Sequence, residues 1–329
     1  MEDIRWGILG CGRIARKFAA DLKLVSGARL MAVAARKIED ARAFANEFPA
    51  PHVFGSYADL VSDPDVDVIY IASPHGLHHE QTLLCLNHGK AVLCEKAFAL
   101  NHHQALEMIN TARQKNIFLM EALWSKFLPQ YHKLEELKAS GAIGEIRSIQ
   151  VDFGFVPQPP APPRLFDPAL GGGSLLDIGI YNVWLVVSHM GRPDEVEASI
   201  TPSPEGVDMQ CAALFKYKNG AMAQLFSTLE SNTGTDADIC GTQGRARLTS
   251  RFYAPSANIE LYPGREDSRQ EIPVYREGGF GYQYEARHVV ECLKRGLKES
   301  PVMRFEDSLL IMETLDRIRA AAGMKFTAD

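Results

Sequence analysis

Two glycines set two residues apart lie in Gly10-Cys11-Gly12-Arg13-Ile14-Ala15, directly after an apolar run from Ile4 to Leu9 and directly before a helical pattern. This is G-x-G-x-x-A between a strand and a helix, the spacing that suits a dinucleotide pyrophosphate. Gly10 permits the tight turn, Gly12 lets backbone N–H groups approach the phosphates, and Ala15 lets the helix pack close to the strand. Cys11, Arg13 and Ile14 belong to the same turn and join Gly10 and Gly12 as candidate cofactor contacts. An NAD site usually offers a carboxylate about 20 residues further on, to accept from the ribose 2′-hydroxyl. Here the second strand ends in Ala34-Ala35-Arg36-Lys37. The planar fork of Arg36 and the cation of Lys37 suit a 2′-phosphate, so NADP is expected, with NAD possible. The opposing reading has both cations solubilise a loop while Glu39 or Asp40 turns inward.

Open α/β sheets bind ligands at the carboxyl ends of their strands. The chain places Ser73-Pro74-His75, with His78 three residues on, after one such strand, and Glu95-Lys96 after the next. These residues complete the candidate cofactor set. A Glu-Lys pair ending an apolar strand is either a solvated charge pair or part of a ligand site, and its location favours the site.

Positioning such groups requires alternating elements. Strand patterns run over Ile4 to Leu9, Ala28 to Ala35, Val66 to Ala72, Ala91 to Cys94 and Ile117 to Met120. Helical patterns fall between them at Ile14 to Leu22, Ile38 to Glu47, Glu80 to His88 and His103 to Lys115. Alternation of this kind predicts right-handed βαβ units in a doubly wound parallel sheet, an α/β fold. Beyond residue 122 the pattern changes to longer alternating segments at Ile146 to Val156, Asp194 to Thr201, Met209 to Tyr217 and Ala221 to Leu229, with more strands at Arg245 to Thr249 and Ala257 to Tyr262. Lys218-Asn219-Gly220 joins two of them, and Asn-Gly predicts a type I′ hairpin with both central residues at positive φ. Helices are expected at Leu175 to Met190, Tyr284 to Arg295 and Ser308 to Ala321. The reading is two domains, 1–122 for the dinucleotide and 123–329 for substrate and dimerisation. Pro157 to Pro163 holds five prolines in seven residues, a linker or a stiff loop beside a pocket.

At 329 residues, 46% hydrophobic and 23% charged, the chain can bury two cores, and its net charge of −6 argues against nucleic acid as a partner. No apolar run long enough for a membrane span is expected, nor a secretory leader, which favours the cytoplasm. Cys11, Cys85, Cys94, Cys211, Cys240 and Cys292 form no C-x-x-C pair, so they read as reduced thiols without a zinc site. No metal is expected.

Taken together, Trp6-Gly7-Ile8-Leu9-Gly10-Cys11-Gly12, Glu95-Lys96, Met120-Glu121-Ala122-Leu123-Trp124 with Phe127-Leu128-Pro129, Gly141-Ala142-Ile143-Gly144-Glu145 and Asp177-Ile178-Gly179-Ile180-Tyr181 resemble the Gfo/Idh/MocA oxidoreductases. The resemblance is closer to their dimeric dihydrodiol dehydrogenases and NADP-dependent D-xylose dehydrogenases. It spans nearly the whole chain and implies an N-terminal Rossmann domain, a C-terminal α/β domain on a large, mainly antiparallel open sheet, and a homodimer. Ala97 stands where the family motif has proline, and Tyr181 where many members carry histidine but this subgroup carries tyrosine.

The chemistry implied is hydride transfer between the nicotinamide and a sugar or cyclic vicinal diol. Oxidising an alcohol needs a base near working pH. Tyrosine and lysine normally titrate near ~10 and ~10.4, so neighbours must shift one of them. A lysine ammonium favours a phenolate, which assigns Tyr181 as acid/base and Lys96 as its electrostatic partner; the reverse assignment stays open. Asp177, four residues before Tyr181, orients a substrate hydroxyl or completes a capping box with Ser174. Matched to the family, Trp124, Phe153 and Phe280 would line an aromatic substrate pocket. The alternative function is a catalytically silent NADP-binding regulator on the same fold.

Overall fold

Apolar runs covered by helices on both faces cannot alternate with polar residues, and every residue of the interior strands β4 (Val68–Ile71) and β5 (Ala91–Glu95) is buried. In the computed structural model, which describes residues 2–264 and 268–325, they join β1 (Ile4–Leu9), β2 (Ala28–Ala34), β3 (His52–Phe54) and β6 (Leu119–Ala122) in a parallel sheet ordered β3-β2-β1-β4-β5-β6. The connecting helices are α1 (Arg13–Leu22), α2 (Ile38–Glu47), α3 (Tyr57–Ser62), α4 (His78–Asn87) and α5 (His102–Lys115). Chain direction across the sheet reverses at β1. The carboxyl ends of β1 and β4 therefore flank the crevice where such sheets take ligands.

A second sheet holds β7 (Ile146–Gly154), β8 (Glu195–Pro202), β9 (Asp208–Lys216), β10 (Met222–Thr228), β11 (Ala237–Gly241), β12 (Gly244–Thr249), β13 (Asn258–Pro263) and β14 (Gln270–Ile272). Its order is β14-β13-β12-β11-β7-β10-β9-β8, and pairing is antiparallel throughout except between β7 and β10. After α6 (Pro129–Ala139), a π-helical turn (Leu175–Gly179) leads into α7 (Ile180–Met190), and turn and helix pack on β7 and β10. α8 (Tyr282–Lys294) and α9 (Phe305–Ala321) follow.

Two compact units result. One comprises residues up to Ala99, His103–Phe127 and Glu277–Ser308; the other comprises Leu100–His102, Leu128–Arg276 and the residues from Leu309. A division into 1–122 and 123–329 thus separates the two sheets but not the units, because the chain returns to the first unit at Glu277.

Two local expectations are corrected, and one grouping is added to them. In the hairpin after β9, Gly220 has φ +80 while Asn219 is not at positive φ, and Gly220 N–H donates to Tyr217 O at 2.9 Å. This is a three-residue loop with one left-handed glycine rather than a type I′ turn, and the Asn219 side chain accepts from Ala221 N–H at 3.0 Å. The helical stretch Pro168–Met190 is long and apolar enough by composition to cross a bilayer, although 94% of its most apolar window is buried. Burial makes it a core helix here. Finally, His52, Asp63 and Asp65 bring ligand-type atoms within 4.8 Å of one another, a grouping that sequence spacing hides. His52 Nδ1 lies 2.6 Å from Asp63 Oδ2, and Asp65 pairs with Arg5 at 2.9 Å.

Candidate active site

In the first unit the glycine turn behaves as its residue types dictate. Gly10 has φ +94, and a Cβ there would lie 3.3 Å from the backbone of Ala72, so the ends of β1 and β4 approach closely because no side chain intervenes. At Gly12, the N-cap of α1, an added Cβ would meet nothing within 4 Å. Open space therefore lies before a helix N-terminus whose first turn contains no acidic side chain. That arrangement fits a pyrophosphate. Cys11, its thiol pushed up to about 11 by burial, donates to Ala34 O at 3.5 Å and fastens the turn to the end of β2.

Just beyond β2, Arg36 and Lys37 are exposed, and the Lys37 carbonyl accepts from Asp40 and Ala41 N–H at the start of α2. Glu39 and Asp40 sit in the first turn of α2, also exposed.

The loops after β4 and β5 are tied together. Ser73 Oγ donates to Gln81 at 2.6 Å, and Pro74 precedes a short 3₁₀ turn, His75–Leu77. His75 is buried, its ring 5.7 Å from that of His78. His78, expected at the cofactor, is wholly buried, with ring nitrogens 2.7 Å from Ala97 O and 2.9 Å from Ser73 O. It struts the loop that carries Lys96. The Lys96–Ala97 peptide is cis, and the Lys96 side chain is partly exposed while Glu95 is buried and accepts from the Tyr70 hydroxyl.

Trp124 stacks on Tyr282 at 4.7 Å with ring planes 5° apart. Phe280 is 49% exposed, with Lys17 Nζ 5.4 Å from its ring centroid, while its N–H donates to Asp21. Asp21 also accepts from Tyr282 N–H at 2.8 Å, so a carboxylate from α1 caps α8.

In the second unit Tyr181 opens α7 and is buried. Its ring lies 4.8 Å from that of Tyr253 and 6.0 Å from that of Phe153, while Phe153 and Tyr253 stack at 4.3 Å. Phe153 thus joins Tyr181 and Tyr253, whereas Trp124 and Phe280 belong to the first unit. Sequence reasoning missed Tyr253. It follows Ser250 and Arg251, two non-glycine residues at φ 60 and 70, a turn that no residue type there announces.

Of the two expectations for Asp177, the structure overturns the capping box. Ser174 makes no capping hydrogen bond and instead donates to Asp208 at 2.7 Å, so the capping box does not form. Asp177 Oδ1 accepts from Arg164 Nη1 at 2.9 Å. The glycines before the π-turn stand where backbone and side chains approach too closely for a Cβ. A Cβ on Gly172 would fall 2.7 Å from Leu165 O, and one on Gly173 would fall 2.1 Å from Asp208 Oδ1. Their absence of side chains lets the Arg164 loop and Asp208 close on the π-turn.

A dinucleotide-type sheet joined to a large, mostly antiparallel sheet, with a glycine turn and a strand-end lysine, defines a two-unit NAD(P)-binding oxidoreductase. Residues 4–123 match the model of an oxidoreductase family with an NAD-binding Rossmann fold, and residues 131–247 match the Gfo/Idh/MocA C-terminal domain. The chain belongs to the Gfo/Idh/MocA oxidoreductase family. It is 38% identical to a trans-1,2-dihydrobenzene-1,2-diol dehydrogenase of Mus musculus over 99% of both chains, and 35% identical to that of Homo sapiens over 99% of both. A 3-ketoreductase of Actinomadura kijaniata, solved with NADP and TDP-benzene, superposes with a TM-score of 0.87 at 27% identity over 97% of this chain and 98% of that one. An aldose-aldose oxidoreductase of Caulobacter crescentus shares the fold, with a TM-score of 0.89 at 24% identity over 98% of both chains.

Proposed function

We propose that the protein is an NADP-dependent dehydrogenase acting on the CH–OH group of a cyclic vicinal diol or a sugar, and that it works as a homodimer. The carrying observation is the aromatic cluster around Tyr181. Phe153 and Tyr253 give it an aromatic surface, and the Asp177–Arg164 pair lies about one helical turn away. Aromatic rings beside a polar pair suit a ring-shaped polyol, whose C–H faces stack while its hydroxyls are hydrogen-bonded. Its full-length likeness to the dihydrodiol dehydrogenases supports the same substrate class.

Within this reading Gly10, Gly12 and the first turn of α1 would hold the pyrophosphate, with Arg36 and Lys37 on the 2′-phosphate. When bound, the nicotinamide supplies the hydride acceptor. Tyr181 takes the hydroxyl proton, Lys96 favours its phenolate, and Asp177 orients a hydroxyl of the substrate. Absorbance at the reduced-nicotinamide band, followed with NADP or NAD against trans-cyclohexane-1,2-diol and D-xylose, tests it. NADP should be preferred, and Arg36→Ala should reduce that preference about 10- to 100-fold. Equal efficiency with both cofactors, or no turnover of any polyol, would refute the corresponding part.

A further inference from the structure

The proline-rich segment delivers one charged side chain to the second unit's site. Pro163–Leu165 forms a 3₁₀ turn, Leu165 is buried, and Gly173 N–H donates to Leu165 O at 2.9 Å. With the Gly172 backbone pressed against the carbonyls of Arg164 and Leu165, the main chain bearing Arg164 is fixed directly against the residues that begin the π-turn. Arg164 Nη1 then meets Asp177 Oδ1 at 2.9 Å, the two side chains being 34% and 10% exposed. Among the described residues Arg164 has no other partner, so most of its five N–H donors remain unused.

We infer that Arg164 and Asp177 form a specificity pair that reads a hydroxyl next to the reacting carbon; this rests on the polyol dehydrogenase reading above. A carboxylate only accepts and a guanidinium only donates, whereas a hydroxyl does both. One hydroxyl therefore satisfies the pair at once, donating its O–H to Asp177 and accepting from Arg164. An ether oxygen at that position can accept but not donate, and a methylene can do neither. Either analogue forgoes at least one hydrogen bond to a charged group that the diol makes, which is the basis of discrimination. Arg164 sets a positive charge 2.9 Å from the Asp177 carboxylate. It is a specificity-determining residue, distinct from the groups that move the proton.

The test compares binding, so that it stands apart from turnover. Saturation-transfer NMR on the NADP-loaded protein would measure dissociation constants for trans-cyclohexane-1,2-diol, trans-2-methoxycyclohexanol and cyclohexanol. The diol should bind about 10- to 100-fold more tightly than either analogue, the range for hydrogen bonds to charged groups. Arg164→Met should bring that selectivity ratio close to one, and Arg164→Lys should restore part of it, with the NADP dissociation constant reporting an intact fold in each. A wild-type ratio near one, or an Arg164→Met ratio equal to wild type, would overturn the inference. Intact selectivity in a protein that oxidises no polyol would instead overturn the dehydrogenase reading while leaving the pair's role standing.

Discussion

At the scale of single residues, the proposed assignment of Tyr181 and Lys96 to one chemical step carries a kinetic signature. Proton transfer by a positioned group contributes roughly 10²- to 10⁴-fold, and groups that act as a unit are non-additive. Tyr181→Phe keeps the ring that packs on Phe153 and Tyr253, and should lower kcat within that range while NADP affinity stays near wild type. Combining it with Lys96→Met should cost little beyond the worse single variant. Near-normal turnover in Tyr181→Phe, with Lys96→Met dead, would make Lys96 the acid/base. A different residue lies outside this chemistry. Glu285 is completely buried, neither of its oxygens has a hydrogen-bond partner, and burial together with the charges of Glu95 and Asp21 holds its carboxyl well above the usual range. A raised folded-state pKa means stability that is present below the unfolded value near ~4.3 and is lost as pH rises through the folded one. Glu285→Gln should therefore gain thermal stability over wild type progressively as pH rises above the unfolded value near ~4.3, read by calorimetry, and a pH-independent difference would show that the buried carboxyl is not shifted upward.

At the scale of elements, the π-turn depends on one carboxylate. Asp208, at the start of β9, accepts from Leu175 N–H at 2.6 Å and from Ser174 Oγ, and burial pushes it up to about 6 against those donors. The facing side chains from the π-turn, β9 and β10 are Ser174, Cys211 and Ser227, none of them charged. Its linkage has the same sign as that of Glu285, with the loss running from the unfolded value of ~3.9 up to about 6. Asp208→Asn should flatten the pH dependence of unfolding between pH 4 and 6.5 by on the order of 2 kcal/mol, measured by urea titration. An unchanged profile would remove Asp208 from the account. The same elements show what the sequence could reveal. Glycine spacing, β-branched runs and the helical pattern of Ile38–Glu47 report local geometry, and β1 and α2 begin and end where that pattern places them. The three-residue strands β3 and β14 are too short for a period to emerge. The start of α8 was hidden for another reason, since its cap is Asp21, 259 residues from Phe280 in sequence. The Arg164–Asp177 contact was hidden likewise, because a proline-rich run states stiffness and not direction.

At the scale of the whole molecule, the second sheet leaves one face to be covered. Its inner residues Cys211, Ala213, Phe215, Ala223 and Leu225 are buried, while the outward positions of the same strands include Ala212, Leu214, Met222 and Phe226. Phe226 stands in register between Asp152 and Ala212, and Met222 is 49% exposed. A groove of about 820 Å³ runs over this face and includes Gln150, Asp152, Ala212, Phe226 and Arg247. Apolar side chains interleaved with the Asp236–Arg247 pair, 3.0 Å apart, are the mixture expected of an interface with a polar rim. A second copy related by a two-fold axis would place the same surface against itself, which closes the assembly without leaving an edge for further growth. A stable pairing of this kind buries roughly 1,200–2,000 Å² or more, enough for the central strands of such a sheet to supply. Light scattering should therefore report twice the 36.4 kDa chain mass at micromolar concentration. Phe226→Asp, which sets a charge beside Asp152 at the centre of the face, should shift the mass toward the monomer while leaving far-ultraviolet circular dichroism unchanged. A wild-type monomer, or a Phe226→Asp variant that still doubles its mass, would place the covering of this face elsewhere.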